Sequence, residues 1–171
     1  MDQMKFNNLK LLVLDVDGVL TDGQLYFSNS GEEIKAFNSQ DGLGIKLLQK
    51  EGIDVAIITG RTSGIVNDRA SSLGIRHVMQ GCGDKLTALN TLCEDLSIGY
   101  TQIAYMGDDL PDLASINRVA LGMAVANANP EIIKHANWCS IRKGGFGAVR
   151  EACDYILDQR GALTETVKSF L

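Results

Sequence analysis

The sequence predicts an α/β fold, a doubly wound, Rossmann-like parallel sheet, on two observations. Short apolar runs without polar alternation recur along the chain, as is typical of parallel strands that are covered on both faces. Amphipathic helical patterns separate these runs, and strands that alternate with helices form a doubly wound sheet. The predicted strands occupy residues 10–15, 54–60, 77–81, 102–109 and 119–124.

The predicted helices fill the stretches between and after these strands. Asp41 is the predicted N-cap of the first helix, and Asp84 precedes the third. Residues 161–171 are predicted to be a loosely held C-terminal tail. By the spacing of their apolar residues, the helices cover 43–48, 65–73, 86–96, a short segment from Pro130, and 148–159.

One segment departs from this alternation. Residues 24–38 alternate polar and apolar side chains around a turn at 28–31, which predicts a β-hairpin inserted after the first strand. Its apolar side chains, among them Tyr26, Phe27 and Ile34, give more apolar surface than a solvated hairpin should carry. Because a two-stranded hairpin is marginal alone, we expect it to pack against another subunit of a homo-oligomer.

The bulk properties limit the class of protein. A chain of 171 residues is long enough for one well-packed domain, predicted to span 1–171. Its net charge of -5 argues against a non-specific nucleic-acid surface. Four widely spaced cysteines and two histidines form no zinc pattern, which favours reduced thiols. With no signal peptide or membrane-spanning segment in the sequence, we expect a cytoplasmic protein without a membrane partner.

Acidic residues collect at two predicted strand ends. Asp15 and Asp17 end the first strand, Asp108 and Asp109 end the fourth, and Asp112 lies just beyond. These ends can converge in a doubly wound sheet, where several carboxylates repel one another and offer the hard oxygen ligands that suit Mg²⁺. The alternative is that each acid caps a local helix or turn.

Three further residues point to the same edge of the sheet. Thr59 ends the second strand, and Gly60 permits close approach of the backbone to a ligand. Lys85 opens a predicted helix, where a cation opposes the helix dipole unless an anion binds there. Together with the acids, these residues form a phosphoryl-transfer constellation.

Four ordered motifs, "LDVDGVLTD", "IITGR", "DK" and "MGDDLPDL", resemble those of the haloacid dehalogenase superfamily of Mg²⁺-dependent phosphatases. The resemblance covers nearly the whole chain. It implies that Asp15 is the nucleophile, which forms an aspartyl-phosphate, and that Asp17 is the general acid and base. It also implies that Thr59 and Lys85 hold the transferring oxygens.

The same resemblance implies a metal site. Mg²⁺ would be bound by the carboxylates of Asp15 and Asp108 and by the backbone carbonyl of Asp17. Asp109 and Asp112 would orient these ligands. The cofactor expected for this chain is therefore Mg²⁺.

The gaps between the motifs hold only the hairpin and single helices, so we expect no cap domain. The segments "TDGQLYFSNSGEEIKAFNSQDGLGIKLL", "LGIRHVMQG" and "GGFGAVREACDYIL" resemble the capless, tetrameric phosphatases of acid sugar phosphates. That resemblance implies 3-deoxy-D-manno-octulosonate 8-phosphate as substrate, a role in lipopolysaccharide precursor synthesis, and a homotetramer joined through the hairpin. Phe146 departs from it, at a position where a polar residue is more usual.

An acid sugar requires a cation besides Lys85, and Arg61 and Arg69 are the candidates. Arg61 directly follows Thr59-Gly60, and Arg69 falls on the apolar face of its predicted helix. The alternative for Arg69 is that its aliphatic stem lies along the surface while its charged group stays in water. Residues before the first helix could bind sugar hydroxyls. The predicted substrate-binding set is Asp17, Asn38, Ser39, Gln40, Asp41, Gly42, Gly60, Arg61, Arg69 and Lys85.

Three alternatives remain open at this point. A phosphatase for a sialic-acid-type 9-phosphate would share the motifs. A receiver-type phospho-switch would also combine a doubly wound sheet with acids, Thr and Lys, but no Asp ends the second or third predicted strand. A non-catalytic regulatory or oligomerisation domain could keep the fold, although the intact acids and Lys85 speak against it.

Overall fold

The computed structural model describes residues 3–171, so the first two residues of the predicted 1–171 domain lie outside the described residues. Within this range, six parallel strands form one sheet, which confirms the predicted fold class. The strands are β1 Leu11–Leu14, β4 Asp54–Ile58, β5 His77–Met79, β6 Ile103–Gly107, β7 Leu121–Ala124 and β8 Trp138–Cys139. Their order across the sheet is β5-β4-β1-β6-β7-β8.

The central strand β1 positions the site. All four of its residues are buried, and it pairs in parallel with β4 on one side and β6 on the other. Leu14 lies opposite Ile57 of β4 and Met106 of β6, so the three strands end at the same level. Strand order reverses at β1, and ligands of such sheets bind at the carboxyl ends of the strands beside that reversal.

Helices surround this sheet. The helix α2, Ser39–Lys50, packs against α7, Ala148–Gln159. Gly44 allows their close contact, because an added Cβ would lie 2.9 Å from Arg150 Cδ. No α-helix in the described range has the length and apolar character that a membrane span requires. The helices are α1 Gln3–Asn7, α2 Ser39–Lys50, α3 Gly64–Ser72, α4 Lys85–Leu96, α5 Leu113–Ile116, α6 Pro130–His135, α7 Ala148–Gln159 and α8 Leu163–Lys168.

The inserted hairpin is present, with shorter strands than the sequence pattern suggests. β2 Tyr26–Phe27 and β3 Glu33–Ile34 pair antiparallel and form a separate two-stranded sheet. Gly31 in the connecting turn has a φ of +82°, a conformation that glycine adopts without strain. The side chains of Leu25 and Phe27 are exposed, as are those of Tyr26 and Ile34.

Three details differ from the sequence-based expectations. Asn38, not Asp41, is the N-cap of α2: its side chain accepts a hydrogen bond from the Gln40 amide at 2.8 Å. The C-terminal segment is not only a tail, since α8 buries Thr166 against the rest of the chain. The sixth strand, β8, was not predicted, because two residues are too few to show a period.

Candidate active site

The loop after β1 places Asp15 at the carboxyl edge of the sheet. The Asp15 amide donates to the Met106 carbonyl at 3.1 Å, which extends the pairing of β1 with β6 by one bond. Residues Val16–Leu20 then form one helix-like turn, whose backbone leaves helical geometry at Asp17 and Gly18. The chain therefore turns at Asp17 and Gly18, and the Asp15 side chain is buried.

Gly18 allows the loop after β6 to approach this turn. Its φ is +100°, and a Cβ added there would lie 2.1 Å from Asp108 Oδ2. A side chain at position 18 would overlap the Asp108 carboxylate. A glycine is therefore required for Asp15 and Asp108 to lie side by side.

Three carboxylates and one lysine meet at this edge. Asp15, Asp108 and Asp112 each offer an oxygen within 4.8 Å of the others. Lys85 Nζ lies 3.0 Å from Asp15 Oδ1 and 2.7 Å from Asp112 Oδ1. The predicted convergence of strand ends is present, and it includes the lysine at the start of α4, where Asp84 caps the helix.

The burial and mutual repulsion of the carboxylates in this cluster are more than the single cation, Lys85, can offset, and the pKa values of Asp15 and Asp108 are raised. Burial and the neighbouring Asp112 raise the pKa of Asp15 to about 6, although Lys85 opposes the shift. Burial, Asp15 and Asp112 raise the pKa of Asp108 to about 8. Burial alone would lower the pKa of Lys85, but the Asp15 and Asp112 carboxylates outweigh it and raise that pKa. A divalent cation bound by these hard oxygen ligands would relieve the repulsion, so the residues fit Mg²⁺.

Asp112 is fully buried and receives hydrogen bonds on both oxygens. Tyr105 donates its hydroxyl to Oδ1 at 2.8 Å, and the Asp108 amide donates to Oδ2 at 3.2 Å. Gly107 makes room for this arrangement, because an added Cβ would lie 2.4 Å from Asp112 Cβ. Asp112 therefore holds Lys85 and the loop of Asp108 in place. Tyr105, inside a buried strand, gave no sequence signal for this role.

A cavity of about 500 Å³ opens above the cluster. Thr59 is buried in its wall, fixed by backbone hydrogen bonds from its amide to Met79 and from the Cys82 amide to its carbonyl. The cavity thus brings together most of the predicted site residues. Its wall consists of Asp15, Asp17, Gly23, Thr59, Gly60, Arg61, Cys82, Gly83, Lys85, Asp108, Asp109, Pro111 and Asp112.

Two other predicted sugar-binding residues, Asn38 and Ser39, line a second cavity of about 440 Å³. Its wall also includes Phe37, Phe146 and Asp22. Asp22 precedes Gly23 in the chain, and Gly23 lines the first cavity, so the Asp22-Gly23 turn lies at the edge of both.

The remaining predicted sugar-binding residues support the start of α2. Asp41 is buried and accepts from the Arg150 amide at 2.7 Å, and Gln40 accepts from Arg142 Nη1 at 3.1 Å. Arg69 Nη2 donates to the Asn38 carbonyl at 3.2 Å, and its guanidinium lies 5.6 Å from the Phe37 ring centroid. Gly42 leaves space for that guanidinium, since an added Cβ would lie 2.6 Å from Arg69 Nη2.

Lys35 is a site residue that the sequence reasoning missed. Its side chain is only 3% exposed and forms a short ion pair with Asp17, with Glu33 at 3.4 Å. The period-two pattern of the hairpin placed Glu33 and Lys35 on one face, opposite Ile34. That face has the composition of a solvated one, so the pattern gave no sign that it covers Asp17.

Comparison with known proteins identifies the family. The haloacid dehalogenase-like hydrolase family matches residues 65–143. A 3-deoxy-D-manno-octulosonate 8-phosphate phosphatase of Escherichia coli K12 is 49% identical over 161 residues, which cover 94% of this chain and 86% of that protein. The phosphatase of the same name from Yersinia pestis is 51% identical over 150 residues, 88% of this chain and 80% of that protein.

Solved structures of phosphatases with this activity in their names are similar to the fold of this chain. The Moraxella catarrhalis 3-deoxy-D-manno-octulosonate 8-phosphate phosphatase, crystallised with magnesium ion, phosphate ion and the sugar, has a TM-score of 0.96 and 43% identity, covering 99% of this chain and 97% of that one. The cobalt-bound Haemophilus influenzae phosphatase has a TM-score of 0.90 and 40% identity, covering 94% of each. The chain is a phosphoric monoester hydrolase with Mg²⁺ as its cofactor. It belongs to the family of the 3-deoxy-D-manno-octulosonate 8-phosphate phosphatases, within the haloacid dehalogenase-like hydrolases.

Proposed function

We propose that this chain hydrolyses 3-deoxy-D-manno-octulosonate 8-phosphate to the free sugar acid and phosphate, in lipopolysaccharide precursor synthesis. One observation carries the proposal: Lys85 lies between Asp15 and Asp112 at the base of a cavity whose wall includes Asp17 and Thr59. This arrangement supplies a nucleophile, an acid and donors for a phosphoryl group in one place. The relatives that match nearly the whole chain carry the name of this activity.

Asp15 is the proposed nucleophile. Its carboxylate oxygen attacks phosphorus, and the bond from phosphorus to the sugar oxygen breaks, which leaves an aspartyl-phosphate. Lys85, 3.0 Å from Asp15 Oδ1, can keep the attacking carboxylate oriented and offset negative charge on the transferring oxygens. Thr59, buried in the same wall, can donate its hydroxyl to one of those oxygens.

Asp17 is the proposed general acid and base. It gives a proton to the leaving sugar alkoxide in the first step. In the second step it takes a proton from the water that attacks phosphorus, and the bond from phosphorus to Asp15 breaks to release phosphate. Its side chain is 18% exposed and lines the cavity, so both the leaving group and water can reach it.

Mg²⁺ would be held by the Asp15 and Asp108 carboxylates and the Asp17 carbonyl, and when bound it neutralises charge on the phosphoryl oxygens. Asp112 would orient these ligands through its bond to the Asp108 amide. Asp109 would do so from the rim, where Asn129 Nδ2 donates to its Oδ1 at 3.1 Å.

Gly60 and Arg61 are the main residues proposed to bind the sugar acid part of the substrate. Both line the first cavity, and the half-exposed Arg61 guanidinium can pair with the substrate carboxylate. Asn38 and Ser39 offer polar groups in the second cavity. Gln40, Asp41, Gly42 and Arg69 are proposed to keep that wall in place rather than to contact the sugar.

We further propose a cytoplasmic homotetramer assembled through the hairpin. Leu25, Tyr26, Phe27 and Ile34 are exposed apolar side chains on a two-stranded element that is marginal alone. Cytoplasmic location is supported by the cysteines at 82, 93, 139 and 153, all of which are free thiols.

The experiment that tests the activity measures phosphate release with Mg²⁺ from three substrates: 3-deoxy-D-manno-octulosonate 8-phosphate, N-acetylneuraminate 9-phosphate and a hexose phosphate. We expect a clear preference for the first. Asp15→Asn is the control, and it should release no phosphate while its circular dichroism spectrum stays unchanged. Preference for the 9-phosphate would keep the mechanism and overturn the substrate. No release from any of them would overturn the function.

A further inference from the structure

Two residues of the hairpin and two of the loops after β1 and β4 form a closed ring of four charges. Lys35 forms its short ion pair with Asp17 Oδ1 and lies 3.4 Å from Glu33 Oε1. Arg61 closes the ring, with Nε 3.9 Å from Asp17 Oδ2 and Nη2 3.5 Å from Glu33 Oε1. Each oxygen of Asp17 therefore faces its own cation, one from the hairpin and one from the loop after β4.

The two cations differ in burial. The Lys35 side chain is 3% exposed, whereas that of Arg61 is 45% exposed and lines the cavity. Lys35 is not among the residues of the cavity wall, so its described contacts are with Asp17 and Glu33 rather than with the space for substrate. A buried cation is costly unless it is paired, whereas an exposed pair is weakly held. Lys35 is thus the partner that can fix Asp17.

We propose that Lys35 is a positioning residue for Asp17, holding the Asp17 carboxylate in one orientation at the cavity wall while Glu33 holds Lys35. The inference rests on the proposed function, in which Asp17 transfers protons to and from the reacting oxygens. Proton transfer requires the carboxylate within hydrogen-bond reach of those oxygens. A misplacement of about 1 Å can cost on the order of 100-fold in rate.

This role links the hairpin to the chemistry. Glu33 and Lys35 belong to the hairpin, and Phe27 on its other strand lies 5.9 Å from the Arg61 guanidinium, ring centroid to Cζ. The hairpin therefore supports Asp17 directly and through Arg61. The position of the hairpin therefore affects the orientation of the Asp17 carboxylate as well as the proposed subunit interface.

The test compares two substrates with different leaving groups, both with Mg²⁺: the sugar 8-phosphate and p-nitrophenyl phosphate. The aryl leaving group departs without a proton from Asp17, whereas the sugar alkoxide needs one. Because Asp17 also acts as the proposed base in the second step, which is the same for both substrates, the rate compared is that of leaving-group release in a single turnover with enzyme in excess. In Lys35→Met we expect this single-turnover rate to be about 10- to 100-fold lower on the sugar phosphate, with the half-saturating concentration within about 2-fold, and less than about 3-fold lower on the aryl phosphate. A merely structural defect would reduce both rates alike.

Three companion variants complete the design. Lys35→Arg keeps the charge and should recover most of the lost single-turnover rate. Glu33→Gln weakens the hold on Lys35 and should give an intermediate, equally substrate-dependent loss. Lys46→Met removes an exposed lysine of α2 and should change neither rate.

Equal losses of the single-turnover rate on the two substrates, or an unchanged single-turnover rate on the sugar phosphate, would overturn the proposal. If Lys35→Met fails to fold or changes mass in light scattering, Glu33→Gln decides by the same comparison. The proposed function fails in a different way: the unmodified chain would release no phosphate from the sugar 8-phosphate, and this inference would fall with it.

Discussion

Lys85 and Asp112 form a buried ion pair, with 2.7 Å between Nζ and Oδ1, and Tyr105 donates to the same carboxylate oxygen at 2.8 Å. This pair lets a lysine occupy the first turn of α4, where a cation opposes the helix dipole. It also presents the ammonium to Asp15. Removal of either partner would leave an uncompensated charge away from water, which is strongly destabilising.

Lys85→Met is therefore expected to lose both activity and stability. Three mutually repelling carboxylates would remain, and the free energy of unfolding of the metal-free protein should fall by about 3 kcal/mol. Urea denaturation in EDTA measures this change. The matched control is Lys134→Met, because Lys134 pairs with Glu131 on the surface, where ion pairs contribute little. Equal losses of unfolding free energy in the two variants would contradict the structural role of Lys85.

Gly18→Ala tests the close approach of two loops. An alanine Cβ would lie 2.1 Å from Asp108 Oδ2, so we expect the Asp108 carboxylate to be displaced. Mg²⁺ affinity, measured by calorimetry, should fall at least about 10-fold, as should kcat. The control is Gly31→Ala in the hairpin turn, which has a φ of +82° but nothing within 4 Å of the added Cβ. Both variants place an alanine at a positive φ, so each carries backbone strain. Only a larger loss of Mg²⁺ affinity and kcat in Gly18→Ala than in Gly31→Ala therefore reports on Asp108.

The parts of the site that sequence could predict are those set by local pattern. Asp15, Thr59 and Asp108 each follow a buried apolar run, and parallel strands bring such ends to one edge. Asp84 and Pro130 likewise mark helix starts through contacts within a few residues. Strand ends and helix starts, which depend on local sequence, therefore predict where most of the candidate residues lie.

The parts that sequence could not predict depend on distant partners. Asp41 was a plausible N-cap, but Asn38 takes that role and the Arg150 amide of α7 binds Asp41 in the interior. Arg69 supports the Asn38 carbonyl instead of lining the first cavity, and Lys35 reaches Asp17 from the hairpin. The chemical type of each of these side chains allows more than one role. The role that each one takes depends on a contact with a residue far away in the sequence.

The metal-free protein should become less stable as pH rises. The pKa of Asp15 is raised to about 6 and that of Asp108 to about 8, both from an ordinary 3.8, mainly because they are buried. Between these limits the folded state binds more protons than the unfolded state, so the free energy of unfolding falls with rising pH. The contribution of these groups is fully present below about pH 4 and is lost through about pH 6 to 8.

Urea denaturation in EDTA between about pH 5 and 9 measures this slope. In Asp108→Asn the part of the slope near the higher pKa should disappear. Because Mg²⁺ must displace the Asp108 proton, apparent Mg²⁺ affinity in the unmodified protein should rise with pH up to about 8. A metal-free stability that increases across this range would contradict the assigned shifts.

The exposed apolar side chains of the hairpin are proposed to form a subunit interface. Ile34 is 58% exposed, and strand alternation directs its side chain away from the face that carries Glu33 and Lys35. Ile34→Asp places a charge within the proposed subunit interface, where burying it would be costly, but leaves the ring around Asp17 intact. We expect a smaller assembly by light scattering. Ile141→Asp, at an apolar residue 86% exposed outside the hairpin, should keep the mass of the unmodified protein. If Ile34→Asp keeps that mass as well, the hairpin is not the subunit interface.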